Sequence, residues 1–271
     1  MMKYEVKKLG VGGVLDQSIA VLRDHFGVLV ATSLIVYLPL ALINVIATNV
    51  LQPQIPKQPP DPSKVLEFYE ALLTPLIPLI PLWLIIAFVV SPLSFGAVVY
   101  AASQIYLGGS VTFKSAWRRA FDRKWALIGT WFLYTILLFI GLCLCIIPYF
   151  IFAFWFFMFA QVVVLERGRG VSSLTRSKAL MSGHYGEAIV LSLLIFGITF
   201  SVSMFGGLIG HQLLAGMMQI IVQSAMMTFG AVVTTVFYYS CRADRDGFDL
   251  LWLADAVAAP DEPDPDAGRL W

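Results

Sequence analysis

The sequence predicts an all-α, polytopic membrane protein with about six transmembrane helices and three amphipathic helices lying along its cytoplasmic surface. Three observations lead there. Hydrophobic residues make up 59% of the chain and charged residues only 13%, where a soluble domain carries roughly 25% charge. The charges are also segregated, so that long apolar runs alternate with short polar segments. A run of about 20 apolar residues crosses a hydrocarbon core roughly 30 Å thick, and it must be helical because its backbone groups find no partners in lipid. Finally, the basic residues are strongly one-sided.

In chain order, the segment up to Phe26 is polar or amphipathic where a cleavable signal would carry its apolar stretch, so insertion without cleavage is expected. Apolar runs then cover 28–50, 79–106, 125–145, 147–165, 187–209 and 213–240. The second run meets Pro75, Pro78, Pro81 and Pro92. Because proline removes a backbone donor, Pro75 to Pro81 reads as an irregular start and Pro92 as a kink. The third and fourth runs meet at Pro148 with almost no polar loop, which predicts a tight hairpin. Between the first and second, QPQIPKQPPDP is a stiff spacer, and KVLEFYEALL (64–73) reads as a short amphipathic helix at the outer surface. After Ser240, RADRDGFDLLWLADA mixes acids with large apolar residues, and APDEPDPDAGRLW has a composition that resists folding. The expected organisation is an integral membrane domain over 1–241 and an acidic, proline-containing cytoplasmic tail over 242–271, partly disordered. The net charge of +1 argues against a nucleic-acid binder, and three cysteines are too few for a disulfide framework.

Orientation follows from where lysine and arginine fall. One side holds Lys3, Lys7, Lys8 and Arg23, then Lys114, Arg118, Arg119, Arg123 and Lys124. Arg167, Arg169, Arg176 and Lys178 follow, and Arg242, Arg245 and Arg269 complete the set. The other side holds Lys57 and Lys64. The positive-inside rule puts the rich side, and with it both termini, in the cytoplasm of a cell (cytoplasmic) membrane.

A threefold internal pattern accompanies this topology. The inward segments before the first, third and fifth runs align on Phe26, Trp125 and Tyr185, each preceded by His25, Lys124 or His184 and followed by Gly27, Ala126 or Gly186. Apolar residues recur four and five positions earlier, as Leu22 and Val21, Phe121 and Ala120, Met181 and Leu180. That spacing suits helices lying at the membrane surface with an aromatic ring at headgroup level. The unit would be one interfacial helix plus a helical hairpin, with repeats over 13–106, 112–165 and 171–240. Parallel repeats imply an axis along the membrane normal and disfavour an inverted-repeat transporter.

Residues for chemistry are sparse. No run carries Asp, Glu, Lys or Arg at its middle, which argues against a proton-coupled pump. Asn44, Asn49, Gln104, Gln161, His211, Gln212, Gln219 and Gln223 read mainly as interhelical hydrogen-bonding groups, with Gln219 and Gln223, one turn apart, as candidate cavity lining. There is no HExxH or GxSxG motif, the histidines His25, His184 and His211 are scattered, and Cys143 and Cys145 do not form CxxC. No catalytic, cofactor or metal site is therefore expected. Gly206-x-x-x-Gly210 permits close helix approach. Arg118, Arg119, Arg123, Lys124, Arg176 and Lys178 are candidate contacts for anionic lipid headgroups or a protein partner on the cytoplasmic face. Glu166 and Arg176 are a candidate structural pair bracing the helix that follows the fourth run. The resulting expectation is a non-enzymatic membrane scaffold or lipid-interacting protein. The alternative is a transporter or channel for a lipidic or neutral solute. A continuous polar cavity would favour the second, and a packed core of the kind suggested by FIFAFWFFMFA (150–160) the first.

Two segments carry a resemblance. VVVLERGRGVSSLTRSKALMSGHYG, with Glu166, Gly170, Val171, Leu174, Arg176, Ser177, Leu180 and Gly183, is one; YYSCRADRDGFDLLWLA, with Arg242, Gly247, Phe248, Asp249 and Leu250, is the other. Together with the opening GGVLDQSIAVLRDHFG, they resemble the membrane domain found with some glycerophosphoryl diester phosphodiesterases and in stand-alone bacterial and archaeal membrane proteins. The resemblance implies a membrane part only. In that family the phosphodiesterase chemistry resides in a separate soluble domain, whose acidic and histidine clusters this sequence does not show.

Overall fold

The computed structural model describes residues 4, 6–51, 65, 68–70, 74–206 and 212–250, and among them it is helical with no strand. The chain opens with α1 (Val11–Asp24), which buries Val14, Ser18 and Val21 along one face. Spacings of four and three put these residues on one stripe of a helix. At His25 the chain turns, and α2 (Phe26–Leu51) leaves at 80° to α1.

The proline-broken second run resolves into several pieces. A 3-10 segment over Thr74–Leu79 holds Pro75 and Pro78, followed by α3 (Ile80–Ile85), a π-helical turn over Ile86–Val90 and α4 (Ser91–Tyr106). Pro92 has no N–H to offer the preceding turn, and the widened π turn lies where that bond is missing. Pro39 stands inside α2, an interruption the sequence reading did not weigh.

The next unit begins with α5 (Phe113–Asp122), started by a reciprocal cap: Ser115 N–H donates to Thr112 Oγ1 (3.3 Å) and Thr112 N–H to Ser115 Oγ (3.1 Å). Ala116 and Ala120, one turn apart and fully buried, let α5 lie close on α4. α6 (Lys124–Leu144) and α7 (Ile146–Trp155) form a hairpin with Cys145 alone between them. A break over 156–158 separates α7 from α8 (Phe159–Leu165). Ser177 repairs it from outside: its Oγ accepts from Met158 N–H (3.0 Å) and donates to the Trp155 carbonyl (3.2 Å). A serine hydroxyl can thus satisfy the freed backbone of a broken span. Ser177 belongs to α9 (Val171–Met181), which is followed by α10 (Tyr185–Gly206) and the long α11 (Gln212–Asp246).

Five helical stretches are long and apolar enough to cross a membrane: Ile77–Tyr106, Lys124–Leu144, Ile146–Leu165, Tyr185–Val202 and Ile221–Asp246. The bent α1–α2 pair raises the count to six if taken as one span. Within their most apolar windows, 61% of residues are buried in Ile221–Asp246 but only 17% in α6 and 11% in α10, so α11 is the axis of the packing. A hydroxyl or amide sews it to three of the other helices. Ser33 of α2 bonds Ser224 (2.7 Å) and Thr228 (2.8 Å), Ser103 of α4 bonds Tyr239 (2.7 Å), and Gln161 of α8 donates to Thr234 (2.8 Å). Around these bonds the core is built from small and branched residues such as Ala97, Val98, Ala101, Val163, Val232 and Val236. Gly96 marks the tightest crossing, because a Cβ there would stand 2.8 Å from Leu127 Cδ1.

The aromatic run 150–160 joins the core only at its end: Phe150 is exposed and Phe152 to Phe157 are half-buried, while Met158, Phe159 and Ala160 are buried. The last span is longer than 213–240, because α11 continues through Asp246 and the boundary at 241/242 falls inside it. Phe248, beyond the helix, packs back on Tyr239 (5.4 Å between ring centroids). The outer-loop helix 64–73 apart from 65 and 68–70, the second half of the Gly206–Gly210 motif, His211 and the tail from 251 lie outside the described residues, as do the side chains of Asn44, Asn49, Gln212 and Gln219.

Candidate functional site

The charged groups gather at the end of the bundle where α2, α6 and α10 begin and α4, α8 and α11 finish. They form two unlike regions. In the first, Glu166, just past α8, receives Arg176 of α9 through two guanidinium nitrogens (2.9 and 3.4 Å). Arg176 also donates to Asp246, at the end of α11. Tyr238 hydroxyl donates to the same Glu166 carboxylate (2.8 Å), and Arg242 reaches Asp246 (3.4 Å) one turn away. The Arg242 guanidinium lies 4.3 Å from the Phe248 ring centroid. Burial alone would lower the Arg176 pKa, but hydrogen bonds to the Glu166 and Asp246 carboxylates outweigh it and raise the pKa. Charge is balanced here, which is what a partly buried ion cluster needs. Next to it, half-exposed Asp244 takes both Lys8 (2.9 Å) and the buried His184 (3.2 Å).

The second region holds Arg119 and Arg123 of the α5–α6 corner opposite Arg167 and Arg169 of the loop after α8. Their described partners are carbonyls: Arg119 donates to Val164 O (3.2 Å) and Arg123 to Gly168 O (3.3 Å). The Nε atoms of both are buried without a partner among the described residues. Burial first, then repulsion from neighbouring arginines, pushes both pKa values down; Arg167 acts on Arg119, and Arg119, Arg169 and Arg167 act on Arg123. No ion pair joins any of these four arginines to a carboxylate among the described residues. An open cleft of about 520 Å³ lies beside them, bounded by Asp122, Arg123, Trp125, Gly129, Thr130 and Arg169. The loop wall of this cleft depends on Gly170, whose φ of 57° favours glycine. Its N–H donates to Thr130 Oγ1 (2.8 Å).

Of the six candidate headgroup contacts, the structure brings Arg123 to this cleft, turns Arg119 toward the Tyr100 ring beside it, and leaves Arg118 and Lys124 on the exposed surface. Arg176 is taken by the carboxylates, and Lys178 sits 3.6 Å above the Trp155 ring. Sequence reasoning did not single out Asp246, Tyr238, Arg167 or Arg169 as site residues. The Arg242–Asp246 spacing of one turn could have found the first; the others come together only through the packing of α8, α9 and α11. A second cleft, of about 510 Å³, lies between α10 and α11 and is lined by Ile195, Thr199, Gln223, Met226 and Met227. Gln223 thus borders a cavity.

A family described as a domain of unknown function (DUF8558) matches residues 125–259. No curated protein and no solved structure matches the chain.

Proposed function

We propose that this chain is a non-enzymatic, multi-pass protein of the cell membrane that acts as a lipid-interacting scaffold. Six spans, with both termini cytoplasmic, would leave α1, α5 and α9 along the inner surface as three interfacial helices. Several features support this arrangement. Each short helix stands directly before a long apolar one, and α2, α6 and α10 begin at or next to the aligned Phe26, Trp125 and Tyr185. The 80° turn between α1 and α2 is what a helix lying flat before a spanning one requires. Helix-plus-hairpin repeats over 13–106, 112–165 and 171–240 would then ring the platform, and the family resemblance to a membrane domain without its phosphodiesterase partner fits the same picture.

One observation carries the lipid reading: at an end where Arg176 and Arg242 are matched to carboxylates, Arg119, Arg123, Arg167 and Arg169 are not. A surplus of guanidinium charge beside an apolar bundle attracts anionic headgroups, by about 1 kcal/mol per basic residue near the surface. The tightly packed α4–α8–α11 core supports a scaffold over a conduit. The cleft at Gln223 favours a second reading, passage of a lipidic or neutral solute, because it offers an amide and a hydroxyl within an apolar lining.

Native mass spectrometry from membrane-derived nanodiscs tests the proposal. Anionic lipid, or a stoichiometric protein partner, retained on the chain is the expected result. A bare protein with no specific adduct would overturn it and make solute-flux assays the measurement of choice.

A further inference from the structure

We infer that the cleft between the α5–α6 corner and the Arg167–Gly170 loop is a site for the phosphate of one anionic glycerophospholipid, whose acyl chain runs along α6. This rests on the lipid-platform reading and assigns its most specific contact. Arg123 and Arg169 bound the cleft from its two sides, on different elements. Thr130 forms its floor. That side chain is 1% exposed, and its hydroxyl accepts from Gly170 N–H, leaving its own proton without an acceptor among the described residues. Two arginines and a threonine hydroxyl among the lining residues suit a phosphate, which can accept from all three. Asp122 is the one carboxylate among the lining residues, so Arg123 and Arg169 leave the cleft with a net positive charge.

The choice of a lipid over a soluble phosphate comes from what lies below the cleft. Trp125, Gly129, Phe132, Ile136 and Phe139 fall three or four residues apart, on one stripe of α6. Trp125 is 78%, Phe132 52%, Ile136 39% and Phe139 66% exposed, so most of the stripe faces outward, with Phe132 also edge-on to Phe88 (5.5 Å between ring centroids). Gly129 interrupts it directly at the cleft, where an added Cβ would meet nothing within 4 Å. The glycine leaves a notch through which a chain attached to the phosphate can pass onto the stripe. An aromatic ring at the mouth and a headgroup donor beside it are the arrangement expected at a membrane interface.

The test uses the full chain in phosphatidylcholine nanodiscs containing a minor fraction of phosphatidylglycerol, with retained adducts counted by native mass spectrometry. Wild type is expected to hold one phosphatidylglycerol through collisional activation. Gly129→Leu, which fills the notch without altering charge, and Arg169→Gln, which removes one donor, are each expected to lower the retained fraction at least tenfold. Arg118→Gln, equal in charge loss but outside the cleft, is expected to retain it. A Gly129→Leu protein that melts like wild type and keeps the adduct overturns this site and leaves only diffuse attraction to the platform. Absence of phosphatidylglycerol enrichment in every sample, wild type included, removes the platform reading itself. An equal rise in melting temperature of detergent-solubilised protein with inorganic phosphate and with phosphatidylglycerol overturns the lipid assignment in favour of a soluble phosphate.

Discussion

Two groups of arginines at the same end of the bundle behave in opposite ways. Arg176 and Arg242 face Glu166 and Asp246, and the cluster joins α8, α9 and α11. Arg119 and Arg123 face Arg167 and Arg169 across the α5–α6 corner and are held by backbone carbonyls. In the first group every guanidinium has an anion nearby, so its charge serves folding. In the second the charge is left over, so it is available to something outside the chain. Arginine content alone therefore says little about which guanidinium groups are neutralised within the chain; the carboxylates within reach decide that.

The comparison is sharpened most by breaking the balanced cluster. Arg176→Ala leaves Glu166 and Asp246 short of a partner in a partly buried site. It should lower stability by about 2 kcal/mol, below the range for fully buried pairs because these side chains keep some solvent, as read from thermal unfolding in detergent. Retention of anionic lipid should not change; a lost adduct with an unchanged melting profile would reverse the roles given to the two regions.

Ser177→Ala comes next. It removes both bonds that bridge the break between α7 and α8, exposing the Met158 N–H and Trp155 carbonyl to an apolar setting at a cost of about 1–2 kcal/mol. Hydrogen exchange should speed up at 156–158 before it does elsewhere. Lys178→Ala removes the cation from the Trp155 face and should cost about 0.5–1 kcal/mol, visible as a small fall in melting temperature. Smallest of all is Arg169→Gln in the unbalanced group, expected to stay within about 0.5 kcal/mol of wild type in stability. A destabilisation as large as that of Arg176→Ala would mean that this loop arginine is structural too.

The α-helical class, the runs apolar enough to span a membrane and a tight hairpin between the third and fourth of them were legible in the sequence, because each depends on local composition and on the solvation of the backbone; the turn falls at Cys145, just before the Pro148 the sequence pointed to. The proline signals were legible as well: Pro75 and Pro78 fall in a 3-10 segment, and a π turn stands before Pro92. Glu166 and Arg176 could be named as a pair because they lie ten residues apart, on either side of one short loop. Their third and fourth partners could not. Tyr238 and Asp246 are remote in sequence; Tyr238 reaches Glu166 from within the apolar segment of α11, and Asp246 reaches Arg176 only because the helix runs on past that segment.

By itself, then, the sequence determined which segments are helical, which are apolar enough to leave water, and where the basic residues are concentrated, since these follow from the side chains of each segment taken alone. Only the tertiary structure decided that α11 is the axis, that the core is centred on α4, α8 and α11 with only the end of the aromatic run entering it, and which arginines are neutralised. The physical reason is that pairing and burial depend on distances between segments. A charge pattern along the chain counts arginines and carboxylates; it does not say which of them meet.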